Sequence, residues 1–174
     1  FNEEKTISII LDKVLEQREF NKEIIVIDDC STDKTKFLIE NKYADKVRLI
    51  SNSQNYGKGY CIRKGVDIAN GDITLIQDAD LEYDPSDYKK ILKPLLTERA
   101  DVVYGSRFLG DGEKRVLYFW HRVGNFILTL LSNSLSNLNL TDMEVGYKAF
   151  KTKILKEIKL KENRFGFEPE ITAK

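Results

Sequence analysis

The stretch DITLIQDADLEYDP, residues 72–85, joins a short apolar run to a turn that carries four acidic side chains. The run is apolar on both faces and rich in β-branched residues, which predicts a strand of a parallel sheet covered by helices on both sides. Asp84 and Pro85 follow, and aspartate at the N-cap with proline at the first helical position is typical of a helix start. We therefore predict a strand over 72–78, an acidic turn, and a helix over 86–96.

The same alternation of short apolar runs and amphipathic segments extends to both sides of this stretch. Further strands are predicted at 23–29, 46–51 and 100–106, and further helices at 3–18, 33–43 and 58–69. Repeated strand–helix units indicate an α/β, Rossmann-like sandwich with a mostly parallel sheet and helices on both faces. Because the first helix should follow a strand, we expect one more strand before residue 1. The 174 residues contain no linker and suit a single domain.

Charge and cysteine content narrow the classes of function. Lysine and arginine number 28, against 28 aspartate and glutamate, so a generally basic surface is excluded and no nucleic-acid partner is expected. No apolar run approaches the roughly 18–20 residues that a membrane-spanning helix needs. Cys30 and Cys61 are too few for a disulfide framework, which favours two reduced thiols in the cytoplasm.

Acidic side chains or an arginine follow three of the predicted strands. These strands end in Asp28-Asp29, in Asp78-Ala79-Asp80 and in Gly105-Ser106-Arg107. Ligands of such sheets bind beyond the carboxyl ends of the strands, and carboxylates that converge there repel one another unless a cation offsets their charge. Paired oxygens of Asp78 and Asp80 on one face would suit Mg²⁺ or Mn²⁺ held partly by substrate phosphates. The alternative is a solvated acidic turn before a helix.

Two further residues are candidates for binding a phosphorylated ligand. Asp29 suits hydrogen bonds from a base or a ribose, although IDDCSTDKT, residues 27–35, is also compatible with an acidic turn leading into a capped helix. NYGKGY, residues 55–60, lacks the spacing of a P-loop. Its glycines are therefore expected to serve a helix entry, with Lys58 near the phosphates.

The last third of the chain leaves two interpretations open. Residues 116–140 predict a long, aromatic-rich helix that contains Tyr118, Phe119 and Trp120. Such a helix suits the surface of a bilayer, where aromatic side chains reach the headgroup level, and it suits a core helix equally well. The lysine-rich stretch 151–161 either attracts anionic headgroups or forms a solvated helix face.

The ordered set of motifs resembles a known enzyme family. The earlier motifs occur in the order seen in family 2 nucleotide-sugar glycosyltransferases of GT-A fold: FNEE (1–4), IDDCSTDKT (27–35), NYGKG (55–59), DADLEYDP (78–85) and GSR (105–107). The later motifs are similar to the polyprenyl-phosphate branch, which includes dolichol-phosphate mannose synthases: HRVGN (121–125), LTDME (140–144), GYKAF (146–150) and RFGFEPEITAK (164–174). Phe1 stands where the family usually has tyrosine.

For the donor, the resemblance implies a nucleotide-sugar-binding half over residues 1–107. The residues expected to contact the donor are Phe1, Asn2, Glu3, Ile27, Asp29, Lys58, Gln77, Asp78, Ala79 and Asp80. Phe1 would pack against the base, and Asp78 with Asp80 would bind Mg²⁺ or Mn²⁺. The metal would neutralise the charge that develops on the departing nucleoside diphosphate.

For the acceptor, the resemblance implies a binding half over residues 108–174. Arg107 and Arg122 would bind the acceptor phosphate through bidentate hydrogen bonds, and Asp80, Arg107 and Asp142 are the expected catalytic residues. A polyprenyl phosphate is already an anion near neutral pH, so it needs no general base. Asp142 lies where other branches of the family carry their base, and here it either orients the site or acts as a base.

These motifs lead us to expect an inverting glycosyltransferase. It would move a hexose from GDP-mannose or UDP-glucose to a polyprenyl phosphate, as a peripheral protein at the cytoplasmic face of a membrane. The first alternative is transfer to a saccharide hydroxyl. Outside glycosyl transfer, the alternatives are a receiver-like phosphoacceptor domain and a catalytically inactive scaffold.

Overall fold

Strands and helices alternate along most of the chain. The computed structural model describes residues 1–108 and 118–174. The strands are β1 Ile25–Asp28, β2 Arg48–Ser51, β3 Ile73–Leu75, β4 Val102–Tyr104 and β5 Lys148–Lys151. The helices are α1 Ile7–Glu16, α2 Thr35–Lys42, α3 Lys58–Ile68, α4 Tyr88–Leu96, α5 Phe119–Ser136, α6 Thr152–Glu157 and α7 Phe167–Ala173.

The four strands predicted from apolar runs are confirmed, and so is the helix start at Asp84. The Asp84 side chain accepts a hydrogen bond from Ser86 N, with Pro85 at the start of a short 3-10 turn that leads into α4. The aromatic-rich helix is confirmed as α5, while residues 116–117 of its predicted range lie outside the described residues. Within the described parts of the chain, no helix is both long enough and apolar enough to cross a bilayer.

The strand order explains how distant segments meet. β1 and β2 pair in parallel, from Ile25 opposite Arg48 to Asp28 opposite Ser51. β5 lies between β3 and β4 and runs antiparallel to both, although the sequence had not indicated a strand there. Because β5 starts where β3 and β4 end, it brings the residues just before it to the carboxyl ends of those two strands.

Two apolar cores cover the two faces of β5. Ala149 belongs to a core formed with side chains of α1, α2 and α4, whereas Phe150 belongs to a core formed with α3, α6 and α7. Successive residues of a strand point to opposite faces of the sheet, so these neighbours separate the two cores. The expected helices on both faces are confirmed for the three-stranded sheet of β3, β5 and β4, whose strand pairs are antiparallel, while the parallel pairing lies in the separate sheet of β1 and β2.

Helix α5 departs from this pattern because much of its apolar surface faces outward. Its first residues and the residue before it are among the most exposed aromatic side chains of the described chain: Tyr118 is 81% exposed, Phe119 69% and Trp120 77%. Further along, the exposed apolar residues of α5 are Phe126, Ile127, Leu128, Leu130, Leu131 and Leu135. Within α5, Thr129 is fully buried.

A lysine lies in the central strand of the three-stranded sheet. Lys148 of β5 has no exposed surface, and its ammonium donates hydrogen bonds to the carbonyls of Met143 and Val145. It also lies 4.7 Å from the centroid of the Tyr104 ring. Burial lowers the pKa of Lys148 to about 8, although the nearby charge of Glu168 acts in the opposite direction.

Because the pKa of Lys148 is lowered, we expect the free energy of unfolding to depend on pH. The unfolded chain binds the proton more tightly, because the ordinary pKa of lysine is 10.5, so the free energy of unfolding rises with pH between those two values. Relative to Lys148→Met, the unaltered chain should gain roughly 2 kcal/mol between about pH 7.5 and 9.5. Urea unfolding of both chains at the two pH values measures the gain. A stability difference that stays constant with pH would contradict the prediction, since the change in packing at Lys148→Met does not itself depend on pH.

Candidate active site

The first residues of the chain lie against the turn between β1 and α2. Asn2 N donates to Ser31 Oγ at 2.9 Å, and Glu3 N donates to Thr35 Oγ1 at 2.7 Å. Between this segment and β1 lies a small cavity of about 60 Å³, lined by Phe1, Glu3, Ile7, Val26, Ile27, Asp28, Thr35, Ile39 and Ala79. Four of the residues expected to contact the donor therefore meet around one cavity.

Asp29 holds the loop that precedes α3. Its buried carboxylate accepts hydrogen bonds from Asn52 Nδ2 at 2.8 Å and from the backbone N–H groups of Tyr56 at 3.0 Å and Gly57 at 2.7 Å. Burial raises the pKa of Asp29, but these hydrogen bonds outweigh it and keep the pKa below its ordinary value. The φ of Gly57 is +100°, a conformation that favours glycine. These contacts determine where α3 begins, and therefore where Lys58 lies.

Lys58 joins two carboxylates that are distant in the sequence. Its Nζ lies 2.9 Å from Asp78 Oδ2 and 2.9 Å from Glu168 Oε1. Burial lowers the pKa of Lys58, but the charges of Asp78 and Glu168 outweigh it and raise the pKa above its ordinary value. Gly146 makes this approach possible, because a Cβ there would lie 2.1 Å from Asp78 Oδ2. A charged lysine therefore occupies one oxygen of the first aspartate in the DAD sequence.

The turn after β3 leaves Asp80 at the surface. Asp80 is exposed, and its Oδ1 accepts a hydrogen bond from Glu82 N at 3.0 Å. Gln77 stabilises the turn from within, because its Nε2 donates to the carbonyl of Asp78 at 3.0 Å and to that of Tyr83 at 3.2 Å. Leu81 lies at a φ of +64°. Such a backbone conformation is uncommon for a non-glycine residue.

The side chains of this turn fit one kind of metal site. Asp78 and Asp80 offer carboxylate oxygens, which Mg²⁺ and Mn²⁺ prefer. Across residues 1–108 and 118–174, no group of three or more His, Cys, Asp or Glu side chains is placed to hold a metal. A divalent cation at this turn would therefore be held by one or two carboxylates together with ligand phosphates, an arrangement usual for Mg²⁺. The ion pair with Lys58 shows that the Asp78 carboxylate already stabilises one positive charge.

Arg107 and Asp142 form a two-point ion pair just beyond β4. Arg107 Nε donates to Asp142 Oδ2 at 2.7 Å, and its Nη2 donates to Oδ1 at 2.8 Å. Asn125 of α5 donates to Asp142 Oδ1 at 3.2 Å. The hydrogen bonds with Asp142 raise the pKa of Arg107 above its ordinary value. Since both oxygens of the buried Asp142 already accept hydrogen bonds, the geometry suits a residue that orients Arg107 more than a free base.

Arg122 converges on the same place from α5. The guanidinium carbons of Arg107 and Arg122 each lie 5.9 Å from the centroid of the Phe108 ring. Arg107 Nη1 also lies 3.6 Å from Glu82 Oε1, which belongs to the acidic turn. Both arginines expected to bind the acceptor phosphate therefore lie near the Phe108 ring, and Arg107 also contacts the acidic turn through Glu82.

Sequence reasoning missed two residues of this site. Gly146 was quoted only as part of the GYKAF motif, although a glycine at the start of an apolar run often marks a close approach of the backbone. Glu168 had no comparable signal, because it reaches Lys58 only through tertiary packing. A Cβ on Gly59 of α3 would lie 3.1 Å from Phe167 Cβ, which shows how closely the start of α7 packs against α3.

Comparison with known proteins relates the chain to a large family. Residues 1–159 match the family described as Glycosyl transferase family 2. An uncharacterized protein of Methanocaldococcus jannaschii is 32% identical over 95% of this chain and 68% of that protein. The dodecaprenyl-phosphate galacturonate synthase of Rhizobium johnstonii is 24% identical over 99% of this chain and 52% of that protein. The chain thus spans between about half and two-thirds of the length of these relatives.

A solved structure has the same fold. It is glucosyl-3-phosphoglycerate synthase from Mycobacterium tuberculosis in complex with Mn²⁺, UDP-glucose and phosphoglyceric acid. The TM-score is 0.74 at 24% identity, over 97% of this chain and 59% of that chain. This likeness confirms the expected GT-A fold. The match over residues 1–159 establishes that the chain belongs to glycosyl transferase family 2.

Proposed function

We propose that this protein is an inverting glycosyltransferase that moves a hexose from a nucleotide sugar to a polyprenyl phosphate. The observation that carries the proposal is the state of Asp142, whose two oxygens accept hydrogen bonds from Arg107 and Asn125. A hydroxyl acceptor needs a general base, whereas a phosphate acceptor is already nucleophilic. Arg107 beside the acidic turn and Arg122 near the Phe108 ring would supply positive charge for such an anion.

The donor would lie between the cavity at Phe1 and the acidic turn. Phe1, Glu3, Ile27 and Ala79 line the cavity and would contact the nucleoside. Lys58 and the pair Asp78 and Asp80 would lie at the diphosphate. A divalent cation bound there would offset the charge that grows on the leaving nucleoside diphosphate. The complex of the mycobacterial neighbour with Mn²⁺ and UDP-glucose supports this kind of donor.

The acceptor would approach from the side of α5. Arg107 is oriented by Asp142, so its guanidinium is held beside the acidic turn while Arg122 remains exposed. Both would bind the acceptor phosphate and direct one of its oxygens at the anomeric carbon, opposite the departing diphosphate. Attack from that side inverts the configuration at this carbon. The name of the Rhizobium relative, a dodecaprenyl-phosphate galacturonate synthase, supports a lipid-phosphate acceptor.

The lipid chain of such an acceptor requires a membrane surface, and α5 suits one. Its exposed aromatic side chains are of the kind that occupy the headgroup level of a bilayer. The cytoplasmic face is proposed because Cys30 and Cys61 are free thiols, and such thiols persist in reducing compartments. Burial and the charge of Asp29 raise the pKa of Cys61 to about 12, which keeps this thiol protonated.

A thermal-shift experiment tests the donor site. GDP or UDP with Mn²⁺ should raise the unfolding temperature, because a ligand at 100 times its Kd stabilises the folded state by about 2.7 kcal/mol. Asp78→Asn should lose most of the Mn²⁺-dependent part of the shift, whereas Asp45→Asn at an exposed position should keep it. The nucleotide that gives the larger shift identifies the base. If neither nucleotide stabilises the unaltered chain with Mn²⁺, the inactive-scaffold alternative is favoured instead.

A transfer assay tests the acceptor. With a labelled nucleotide sugar, label should move to a polyprenyl phosphate and not to an oligosaccharide. Arg122→Ala should raise the KM for the polyprenyl phosphate about 10-fold or more, since a hydrogen bond to a charged group contributes about 1.5–3 kcal/mol. Arg99→Ala, at another exposed arginine, serves as the control and should leave KM unchanged. Transfer to the oligosaccharide alone would support the hydroxyl-acceptor alternative.

Vesicle binding tests the role of α5. The double variant Phe119→Ala, Trp120→Ala should partition at least about 10-fold less into vesicles of anionic phospholipid, because burying one such side chain contributes about 1.5–3 kcal/mol. Phe37→Ala removes an exposed aromatic side chain of α2 and should have no effect. Unchanged partitioning would contradict the proposal. A dimer that the double variant abolishes would assign this face to a second copy of the chain.

A further inference from the structure

Glu168 has one carboxylate oxygen that its surroundings leave without a partner. The residue is 4% exposed, and its Oε1 accepts the Lys58 ammonium at 2.9 Å. Its Oε2 is buried and makes no hydrogen bond within the described part of the chain. A buried acceptor without a partner is costly and calls for an explanation.

The position of Glu168 is well defined by the segment before it. Tyr60 N of α3 donates to the carbonyl of Asn163 at 3.1 Å, and the Arg63 guanidinium donates to the carbonyl of Glu162. A Cβ on Gly59 would lie 2.3 Å from that same carbonyl, so the two backbones are in direct contact. The free oxygen of Glu168 therefore lies next to a packed interface between α3 and the segment that leads into α7.

The proposed metal site creates a conflict that this oxygen can resolve. In the structure, the Lys58 ammonium occupies Asp78 Oδ2 at 2.9 Å. A divalent cation bound to Asp78 would repel an ammonium held on the same carboxylate. The displaced ammonium would then depend on Glu168, its remaining anionic partner, because an unpaired charge in a half-buried place is unfavourable.

We propose that Glu168 is a positioning residue that accepts the Lys58 ammonium on both carboxylate oxygens when a divalent cation binds Asp78. The ammonium already contacts Oε1, so a small movement of a flexible side chain brings it to Oε2 as well. Lys58 thereby remains charged and close to the diphosphate, while Asp78 becomes available to the cation. This inference rests on the proposed function, since it takes Asp78 as a metal ligand.

Two features indicate that Glu168 acts through Lys58. The carboxylate of Glu168 is nearly enclosed. Asp80, which is proposed to bind the metal together with Asp78, is exposed. Lys58 Nζ also lies between the carboxylates of Glu168 and Asp78, at 2.9 Å from each. Asp78 and Asp80 would therefore hold the metal, and Glu168 would affect it only through Lys58.

A binding cycle with four chains tests the proposal: the unaltered protein, Glu168→Gln, Lys58→Met, and the double variant. Free Mn²⁺, measured by electron paramagnetic resonance in the presence of the stabilising nucleoside diphosphate, gives the Kd for the metal. Glu168→Gln should raise this Kd on the order of 10-fold or more, a loss typical of residues that position a ligand. In the Lys58→Met background the same change should have less than about a twofold effect, because no ammonium is left to receive. Glu157→Gln, at an exposed carboxylate of α6, is the control and should match the unaltered chain.

The outcomes separate the inference from the function on which it rests. If the unaltered chain binds no Mn²⁺, the metal-dependent function and the inference both fail. If it binds Mn²⁺ and Glu168→Gln binds equally well, only the inference fails. An equal loss in both backgrounds would mean that Glu168 acts on the metal directly, and would also overturn it. Thermal unfolding without metal shows whether Glu168→Gln folds. If it does not fold, Glu168→Asp replaces it and should raise the Kd for Mn²⁺ only in the chain that keeps Lys58.

Discussion

The pairing of converging carboxylates with buried or half-buried cations is the constraint on which this structure depends. Asp78, Glu168 and Asp142 are brought close to the ends of β3 and β4, where like charges would repel one another in a poorly hydrated place. Lys58 offsets the first two, and Arg107 offsets the third. Each cationic side chain is held in place by its ion pairs with these carboxylates. The same ion pairs therefore also connect segments that are distant in the sequence.

The antiparallel strand β5 is what brings these groups together. It starts at the carboxyl ends of its two neighbours, so Asp142 and Gly146 arrive beside residues that precede them by more than thirty positions in the chain. The absence of a side chain on Gly146 lets the backbone pass Asp78 Oδ2 and Lys58. The same strand separates the two apolar cores through Ala149 and Phe150. Site geometry and core packing thus share one element.

Glycosyl transfer to a phosphate needs no general base, whereas transfer to a hydroxyl does. In the proposed reaction the acceptor would arrive as an anion, and the protein would have to hold it close to a second anion, the donor diphosphate. Arg107 lies beside Glu82, and Lys58 lies beside Asp78, so each cation is next to a carboxylate. In such ion pairs each cation is already oriented, so little reorganisation is needed when phosphates enter. The proposed role of Asp142, to orient Arg107, rests on its hydrogen bonds with Arg107 and Asn125.

Local patterns were sufficient for much of the architecture. The apolar runs, the Asp84-Pro85 helix start and the acidic strand ends are features of neighbouring residues, and the structure places the strands and helices where those features indicate. The ordered motifs likewise led to the correct family. Strand β5 was not predicted, because a short run such as GYKAF forms a strand only when neighbouring strands hydrogen-bond to both of its edges. The sequence also did not reveal the ion pair of Asp142 with Arg107, or those of Lys58 with Asp78 and Glu168. Those contacts join residues up to about a hundred positions apart, and only the packing of the folded chain, which sets distances in space, brings them within hydrogen-bonding range.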